Sequence, residues 1–391
     1  MADSEILFDA SRLIWRLWRG GPPTGIDRVC KAYARHFGRR SRAVVQRRGA
    51  YHIFSKRHSE SLFALFENGS SGFRRRFVQL AGRAFASARR SPPHHGMLYL
   101  NIGHTGLDDR SLPRWVARNG IRAVYLVHDL IPLLHPEYCR PGEQSKHGQR
   151  MENVLKSASG LIGNSQATLD DLTQFAASRR LPVPPSIAAW IAASPIPLSV
   201  APKCFDRPHF ITVGTIEGRK NHSLLLLIWK RLVAKYGWDT PLLVLVGRRG
   251  WEASHALALI DRAVDLKRHV MEFGTCDDEE LAGLIAGARA LLMPSYAEGF
   301  GLPVAEALQL GTPVIASDLP VFREFAGEIP TYLDFLDGKA WESAIMSFTG
   351  ESLERERQIQ AMSGYRAPSW ESHFEVVDEW LQTIEDSPHS A

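Results

Sequence analysis

The second half of the chain alternates short apolar runs with longer amphipathic stretches. Continuous apolar runs predict buried strands at Phe210–Thr215, Leu242–Val246, Ala290–Met293 and Val314–Ala316. Helical periodicity predicts helices at His222–Tyr236 and Pro303–Leu310. Because uninterrupted apolar strands separated by helices are typical of a parallel sheet covered on both faces, the pattern predicts an α/β fold.

The first half is less regular but contains the same kinds of element. Apolar runs predict strands at Ile6–Phe8 and Val124–Val127, and a helix is predicted from about Ile26 to Phe37. Residues 68–96 are rich in Gly, Ser, Arg and Pro, a composition that predicts a mobile loop. An amphipathic pattern predicts a last helix over Ser369–Ile384.

Length and composition agree with two globular domains. The chain has 391 residues, of which 45% are hydrophobic and 23% charged; this supports two cores and excludes a disordered protein. The prolines between Arg179 and Pro208 predict a hinge region. We therefore expect an N-terminal domain over 1–195, a C-terminal domain over 205–368 and a terminal helical segment over 369–391.

Positive charge is concentrated in the first half. The net charge is +5, yet residues 28–107 hold sixteen Arg and Lys against two acids, Glu60 and Glu67. This stretch is either ordinary solvated surface or a basic face that meets anionic lipid or a polyanionic acceptor. The charge balance alone does not choose between nucleic acid, phosphorylated ligands and an acidic membrane.

Cysteine usage and the absence of long apolar runs indicate the compartment. The four cysteines are far apart and form no C-x-x-C pair, which suits a reducing cytosol better than a disulfide framework. The N-terminus lacks an apolar signal core, and no run approaches the ~20 residues that span a bilayer. We expect a cytoplasmic protein, either soluble or peripheral on the inner face of the membrane.

The densest candidate for chemistry is the segment YAEGFGLPVAEALQLGTPVIASD, residues 296–318. Glycines before a helix that starts near Pro303 let the backbone approach a ligand, and the first N–H groups of that helix attract phosphate. Glu298, on the loop, can reach a sugar hydroxyl. Glu306, about one turn into the helix, can hold a ribose diol with two hydrogen bonds. The competing interpretation is a plain connection with two solvated glutamates.

A second candidate is VGTIEGRKNH, residues 213–222, which includes Gly214. A strand ends there, and Arg219 and Lys220 stand directly before a helix. Two cations at the carboxyl end of a strand can neutralise a diphosphate and stabilise the charge that develops as it leaves. Taken alone, the pair could equally face solvent.

The first half contributes weaker candidates. The glycine- and proline-rich turn Gly20–Gly25, with Thr24, could direct backbone N–H groups at the same diphosphate, or could be an ordinary turn before a helix. His128 ends the strand VYLVHD and could bond a sugar hydroxyl, with a satisfied structural histidine as the alternative. His104, in NIGHTG, has the same two interpretations as His128, and its functional role has less support.

The sequence holds no D-x-D in a position that suggests a metal-held diphosphate. It also lacks a P-loop, a G-x-S-x-G elbow and a G-x-G-x-x-G fingerprint. We therefore expect no metal and no cofactor besides the donor substrate itself.

Residues 210–345 resemble the donor domain of the retaining glycosyltransferases of family 4, which have the GT-B fold. The matching segments, in order, are FITVGTIEGRKNH, LLVLVGRRGW, EELAGLIAGARALLMPSYAEGFGLPVAEAL and GTPVIASDLPVFREFAG. The resemblance implies two Rossmann-like domains whose parallel sheets face each other across a cleft, with a terminal helix that crosses back to the first domain.

The same resemblance implies a role for each candidate residue. Glu298 would contact the donor sugar, Glu306 the ribose, and Arg219 and Lys220 the diphosphate. Backbone groups of Phe300, Gly301 and Leu302 would meet phosphate and sugar, and His128 would lie near the donor sugar. Gly214, Gly25 and Thr24 complete the expected donor-binding set.

In the first half, FDASRL, TGIDRV, NIGHTGL and VHDLIPLLHPEY resemble the acceptor domain of a bacterial polysaccharide-assembly subgroup. That resemblance implies a lipid-linked or lipopolysaccharide acceptor at the cytoplasmic membrane. The sequence thus predicts a retaining, metal-independent transfer of a hexose, such as mannose, glucose or a deoxyhexose, from a UDP- or GDP-sugar to a saccharide. The alternatives are a non-catalytic polyanion or nucleic-acid binder and a degenerate scaffolding transferase.

Overall fold

The computed structural model describes residues 5–20, 24–67, 72–86, 94–193 and 200–387. These residues form two compact units. The first unit takes the described residues of 1–130, 145–191 and 370–391, and the second takes 131–144 and 192–369. Residues 131–144, which lie inside the range 1–195 expected for the first domain, cluster with the second unit, and the terminal helix clusters with the first.

The first unit contains a seven-stranded sheet within its described residues. Its strands are β1 Ile6–Asp9, β2 Ser41–Arg47, β3 Ala50–Ile53, β4 Leu98–Asn101, β5 Arg122–Val127, β6 Ala158–Gly163 and β7 Ser186–Ala188. They lie in the order β3-β2-β1-β4-β5-β6-β7, and every pairing is parallel except β2 with β3.

Helices connect these strands. They are α1 Ser11–Arg19, α2 Gly25–Phe37, α3 Lys56–Glu67, α4 Phe73–Ala86, α5 Leu112–Asn119, α7 Glu143–Ser157, α8 Gln166–Arg179 and α16 Trp370–Asp386. Short helix α6, Ile131–Leu134, belongs to the second unit.

The second unit contains a six-stranded parallel sheet. Its strands are β8 His209–Val213, β9 Leu242–Val246, β10 Val270–Phe273, β11 Leu291–Met293, β12 Val314–Ser317 and β13 Thr331–Leu333, in the order β10-β9-β8-β11-β12-β13. Its further helices are α9 His222–Tyr236, α10 Ser254–Arg262, α11 Asp278–Ala286, α12 Leu302–Gln309, α13 Pro320–Ala326, α14 Gly338–Thr349 and α15 Leu353–Met362.

The apolar runs of the sequence form the centres of both sheets. All five residues of β9 are buried, as a strand covered by helices on both faces requires. Trp229 of α9 and Trp341 of α14 are both fully buried in the core around this sheet. These observations confirm the predicted fold class, α/β with two mostly parallel sheets.

Within residues 68–96, which are expected to contain a mobile loop, residues 73–86 form α4. Phe73, Phe77 and Leu80 recur at helical spacing. Amino-acid composition, which the arginines dominate here, does not reveal this spacing. Several predicted features lie partly outside the described residues: 68–71 and 87–93 of this loop, 21–23 of the glycine turn, and 194–199 of the hinge region.

The terminal helix α16 packs on the other elements of the first unit. His373 accepts a hydrogen bond from the Tyr33 hydroxyl at 2.8 Å, and Arg40 forms a 2.5 Å ion pair with Asp378. Arg122 donates to the carbonyl groups at the end of α16, including that of Ile384 at 2.6 Å. These contacts satisfy carbonyls that a helix terminus otherwise leaves without partners.

Candidate active site

The strand order of the second sheet brings two loops together. β8 and β11 pair in parallel, with Leu291 opposite Ile211, although β9 and β10 separate them in the chain. The direction of winding reverses between these two strands, and ligands of open α/β sheets bind beyond the carboxyl ends of strands at such a reversal. The loop after β8 carries Arg219 and Lys220, and the loop after β11 carries Glu298.

Glycines allow the loop after β8 to lie against the loop after β9. A Cβ on Gly247 would stand 1.8 Å from the carbonyl oxygen of Gly214, and both glycines have positive φ, at 157° and 139°. Ile216 links the loops from both sides, because its N–H donates to Arg248 at 2.8 Å and its carbonyl accepts from Gly250 at 2.9 Å. A side chain at Gly247 would force the two backbones apart, and a Cβ on Gly214 would stand 3.1 Å from the side chain of Lys220.

Four charged side chains form a cluster beyond these strands. Arg219 pairs with Glu217 at 2.6 Å and with Glu298 at 2.8 Å, and Lys220 pairs with Glu298 at 2.6 Å. Ser295 donates a further hydrogen bond to Glu298 at 2.7 Å. The side chain of Glu298 is only 6% exposed and that of Lys220 only 9%. The two carboxylates therefore balance the two cations in a nearly dry environment.

The electrostatics of the cluster keep Glu298 ionised. Burial alone would raise its pKa, but the charges of Arg219 and Lys220 outweigh that effect and lower the pKa to about 2. Burial has the opposite net result for Glu217, whose pKa is raised. Burial also lowers the pKa of Lys220, against the attraction of Glu298. Glu298 is consequently a hydrogen-bond acceptor at neutral pH and cannot act as an acid there.

The cluster differs from the sequence-based picture in its pairing. The sequence suggests two cations that await a diphosphate, whereas Arg219 and Lys220 already share the carboxylate of Glu298. Glu217 did not figure among the predicted residues, although it stands two positions before Arg219. Glu217 could have been identified from the sequence as an acidic residue close to Arg219 and Lys220, the two cations proposed to bind phosphate.

Helix α12 begins beside this cluster. Its N-cap Gly301 has φ 99°, and a Cβ there would stand 2.3 Å from the ring of Phe322. Phe300 is buried and stacks on Phe325 with ring centroids 4.8 Å apart. The side chain of Phe300 therefore anchors the loop, which leaves backbone groups of this turn and of Leu302 as the candidates for contact with a ligand.

Glu306 lies in the second turn of α12 and is 6% exposed. It is thus a buried carboxylate, as far into the helix as the sequence suggests. The second unit brings together Gly214, Arg219, Lys220 and Glu298 with the start of α12 at one edge of one sheet.

Thr24 and Gly25 lie in the first unit, at the start of α2. Thr24 donates from its hydroxyl to Asp27 at 2.7 Å and from its N–H to the same carboxylate at 2.8 Å. Arg12 pairs with Asp27 at 2.8 Å and donates to the Gly103 carbonyl at 3.1 Å. The Thr24 side chain is thus engaged in capping α2, and Gly25 is the first residue of that helix.

His128 follows β5 in the first unit and is 4% exposed. Its Nε2 lies 2.8 Å from the Ile102 carbonyl oxygen. Because a carbonyl only accepts, Nε2 carries the proton, and burial lowers the pKa of this imidazole to about 4. His128 is therefore neutral at pH 7 with Nδ1 as an acceptor, able to receive a hydrogen bond from a hydroxyl group.

His104 and His147 stand next to His128. The ring of His104 lies 5.0 Å from that of His128 and 6.1 Å from that of His147. His104 has φ 58°, outside the range that most non-glycine residues adopt, and its Nε2 bonds the Leu126 carbonyl at 2.8 Å. Burial lowers the pKa of His104 well below the usual value, so this ring is also neutral.

The described part of the chain offers neither a metal site nor a membrane-spanning helix. No group of three or more His, Cys, Asp or Glu side chains there is arranged to hold a metal ion. Within the same ranges, no helix combines the length and the hydropathy that a bilayer crossing requires.

Comparison with known sequences places the family signal in the second unit. Residues 202–360 match the family model described as glycosyl transferases group 1. The serotype-specific mannosyltransferase WbdA of Escherichia coli is 33% identical over 287 residues, which are 69% of this chain and 31% of WbdA. The chain thus spans about a third of the length of this relative. The O-antigen chain mannosyltransferase B of Escherichia coli is 27% identical over 260 residues, and the aligned region covers 64% of this chain and 68% of that protein.

Comparison with solved structures supports the fold. Anabaena HepE in complex with UDP aligns with a TM-score of 0.63 at 15% identity, covering 97% of this chain and 100% of its own. The sucrose-phosphate synthase of Thermosynechococcus elongatus aligns with a TM-score of 0.61 at 16% identity, covering 98% and 100%. These likenesses confirm the fold class that the sequence resemblance implies.

Proposed function

Because residues 202–360 form a glycosyl transferases group 1 domain, we propose that the chain transfers a hexose from a UDP- or GDP-sugar to a saccharide acceptor. The observation that carries the proposal is the cluster in which Glu298 is held between Arg219 and Lys220 where the strand order reverses. Relatives named as O-antigen mannosyltransferases support a role in polysaccharide biosynthesis and make mannose the first hexose to test.

Each group of the cluster has a task in this reaction. Glu298, ionised and acceptor-only, receives hydrogen bonds from hydroxyls of the donor sugar. Lys220 and Arg219 turn N–H groups toward the diphosphate, and the first turn of α12 adds backbone N–H groups and the positive end of its dipole. Glu306 holds the ribose diol. Cations at the diphosphate stabilise the charge that develops on the leaving group, so that no metal ion is needed.

The transfer proceeds with retention at the anomeric carbon. The bond from that carbon to the phosphate oxygen breaks, and the bond to the acceptor oxygen forms on the same face. The proton of the acceptor hydroxyl passes to the departing phosphate oxygen. The neutral His128 acts on the sugar as a hydrogen-bond acceptor and not as an acid, in line with its lowered pKa.

The reaction is tested by mixing the protein with UDP- and GDP-hexoses, with and without a mannose-terminated saccharide, in the presence of EDTA. We expect nucleoside diphosphate release that depends on the saccharide, and a product with the anomeric configuration of the donor by NMR. Calorimetric binding of UDP or GDP by the parent, weakened in Lys220→Ala, is the matching equilibrium measurement. A folded parent protein that binds none of these nucleotides and releases none would contradict the proposal.

A basic surface of the first unit favours an acceptor at an anionic membrane. Exposed side chains of α4 comprise Arg74, Arg75, Arg76, Val78 and Arg83. The Arg74 guanidinium lies 5.8 Å from the ring of Trp18, which itself makes an edge contact with Phe77. Arginines beside aromatic and apolar side chains fit the interface of an anionic bilayer.

Vesicle sedimentation tests this surface. We expect the protein to bind vesicles with 30% phosphatidylglycerol more tightly than pure phosphatidylcholine, and Arg75→Glu with Arg76→Glu to abolish the difference. Arg262→Glu with Lys267→Glu, an equal charge change on exposed residues of the second unit, is the control. If both double variants lost vesicle binding equally, net charge alone would explain the binding. If the protein bound RNA in preference to these vesicles, a polyanion-binding function would be favoured instead.

A further inference from the structure

A short segment interrupts the first unit and belongs to the second. Residues 131–144, which we call the brace, comprise α6, a 3-10 turn at Pro136–Tyr138 and the start of α7. The chain leaves the first unit after Leu130 and returns to it at Ser145. Two side chains of the brace contact loops at this edge of the second sheet: Tyr138 lies on the loop after β11, and Arg140 lies on the loop after β9.

Tyr138 packs on two residues next to the charged cluster, Tyr296 and Gly218. Its ring stacks on that of Tyr296, with centroids 4.7 Å apart and planes 5° from parallel. Tyr296 is bonded to the loop after β8 at two points, since its N–H donates to the Arg219 carbonyl at 2.8 Å and its hydroxyl to Asn221 at 3.0 Å. A Cβ on Gly218 would stand 3.6 Å from the Tyr138 ring. Tyr138 thus lies over both Tyr296 and the start of the 3-10 turn with Arg219 and Lys220.

Arg140 holds the neighbouring loop. Its guanidinium lies 4.6 Å from the ring centroid of Trp251. The Trp251 carbonyl accepts the N–H of Gly218 at 3.3 Å. Two side chains of the brace therefore support Gly218 by separate contacts, Tyr138 through its ring and Arg140 through Trp251.

We propose that Tyr138 and Arg140 are positioning residues that hold the turn Gly218–Lys220 in the geometry that presents Arg219 and Lys220. The turn is a single 3-10 helix, too short to be held by its own hydrogen bonds. Its backbone depends on contacts from outside, and an aromatic stack and a cation–π contact are among the stronger ones available to exposed or half-buried side chains. The consequence for the donor rests on the proposed function, whereas the bracing of the turn does not.

Hydrogen exchange by mass spectrometry tests the brace on the full chain. In Tyr138→Ala, peptides covering residues 214–221 should exchange about three- to tenfold faster than in the parent, with peptides of β12 unchanged. Tyr138→Phe keeps the ring and should match the parent. Leu134→Ala removes an exposed apolar side chain from the same segment and is the matched control. Unchanged exchange in Tyr138→Ala, or equal acceleration in Tyr138→Phe, overturns the proposal.

Arg140→Gln provides an independent variant, because this exposed arginine can be replaced without opening the core. We expect hydrogen exchange in the same peptides to be about twofold faster or more. If Tyr138→Ala does not fold, the exchange rates of Arg140→Gln test the bracing of the turn, and unchanged rates overturn it. Calorimetry with UDP and GDP then separates the two proposals. A parent that binds neither nucleotide counts against the proposed function while exchange still decides the brace. A parent that binds one of them with equal affinity in Tyr138→Ala excludes a positioning role toward the donor.

Discussion

Replacement of Glu298 by Gln removes one charge from the centre of the cluster and keeps the shape of the side chain. The pKa of Glu298 falls from 4.5 to about 2 on folding. This change corresponds to roughly 3 kcal/mol of stability at neutral pH. Removing one partner of a buried ion pair typically costs about 3–5 kcal/mol, which agrees with that figure.

The sign of the pH dependence follows from the lowered pKa. The stabilising contribution of Glu298 is fully present above pH 4.5 and disappears as the pH falls toward 2. The parent and Glu298→Gln should therefore differ by roughly 3 kcal/mol at pH 7 and by only about 2 kcal/mol at pH 3.5. Hydrogen exchange of peptides from β8, a central strand of the second sheet, is followed as urea unfolds the protein. It measures the difference in the free energy of unfolding of the second unit, without a contribution from unfolding of the first.

Glu217→Gln is the matched control within the same cluster. Burial raises the pKa of Glu217, so folding disfavours its ionised form, and neutralisation should cost little or should stabilise the protein at pH 7. The Gln oxygen can still accept from Arg219. If Glu217→Gln proved the more destabilising variant, or if Glu298→Gln lost less than about 1 kcal/mol, the electrostatic account of the cluster would be refuted.

Three further changes test other parts of the structure. Gly247→Ala should destabilise the second unit strongly, because its Cβ would stand 1.8 Å from the Gly214 carbonyl oxygen. Gly237→Ala has open space around the added Cβ and should cost only the backbone strain of φ 54° and ψ −124°, ~1–3 kcal/mol; thermal unfolding compares the two variants. Glu306→Gln should weaken UDP or GDP binding about tenfold by calorimetry through loss of a charge-assisted bond to the ribose, and an unchanged affinity would remove that role. His128 contributes stability that is complete above pH 6.5 and is lost as the pH falls toward 4, so urea unfolding at pH 7 and pH 5 should show a smaller pH dependence in His128→Asn.

Local sequence predicts four strands of the second sheet, β8, β9, β11 and β12, and the helices α9 and α12. Leu242–Val246 and His222–Tyr236 have the predicted bounds, because a strand buried on both faces is apolar throughout and a helix ends where glycine follows it. The segments with Glu298 and with Arg219 and Lys220 were recognisable for the same local reason, since each follows a buried strand directly.

Local pattern was less informative in the first unit. Helix α4 lies within a stretch whose Gly, Ser, Arg and Pro content predicts a loop, because its exposed arginines dominate that composition while Phe73, Phe77 and Leu80 mark the inner face. His128 was identified from its place after a strand. Its tautomer and its lowered pKa depend on the Ile102 carbonyl and on burial, neither of which local sequence reveals.

Which charged side chains meet depends on the tertiary fold. β8 and β11 are neighbours because the sheet winds in both directions from that pair, and this strand order brings Glu298 within 2.6 Å of Lys220 across 78 positions of chain. The same packing adds Glu217 to the cluster and lays the brace on Tyr296 and Trp251. Ion pairs and ring stacks between distant segments depend on distances of a few ångströms, which strand order and loop packing set and which apolar periodicity does not encode.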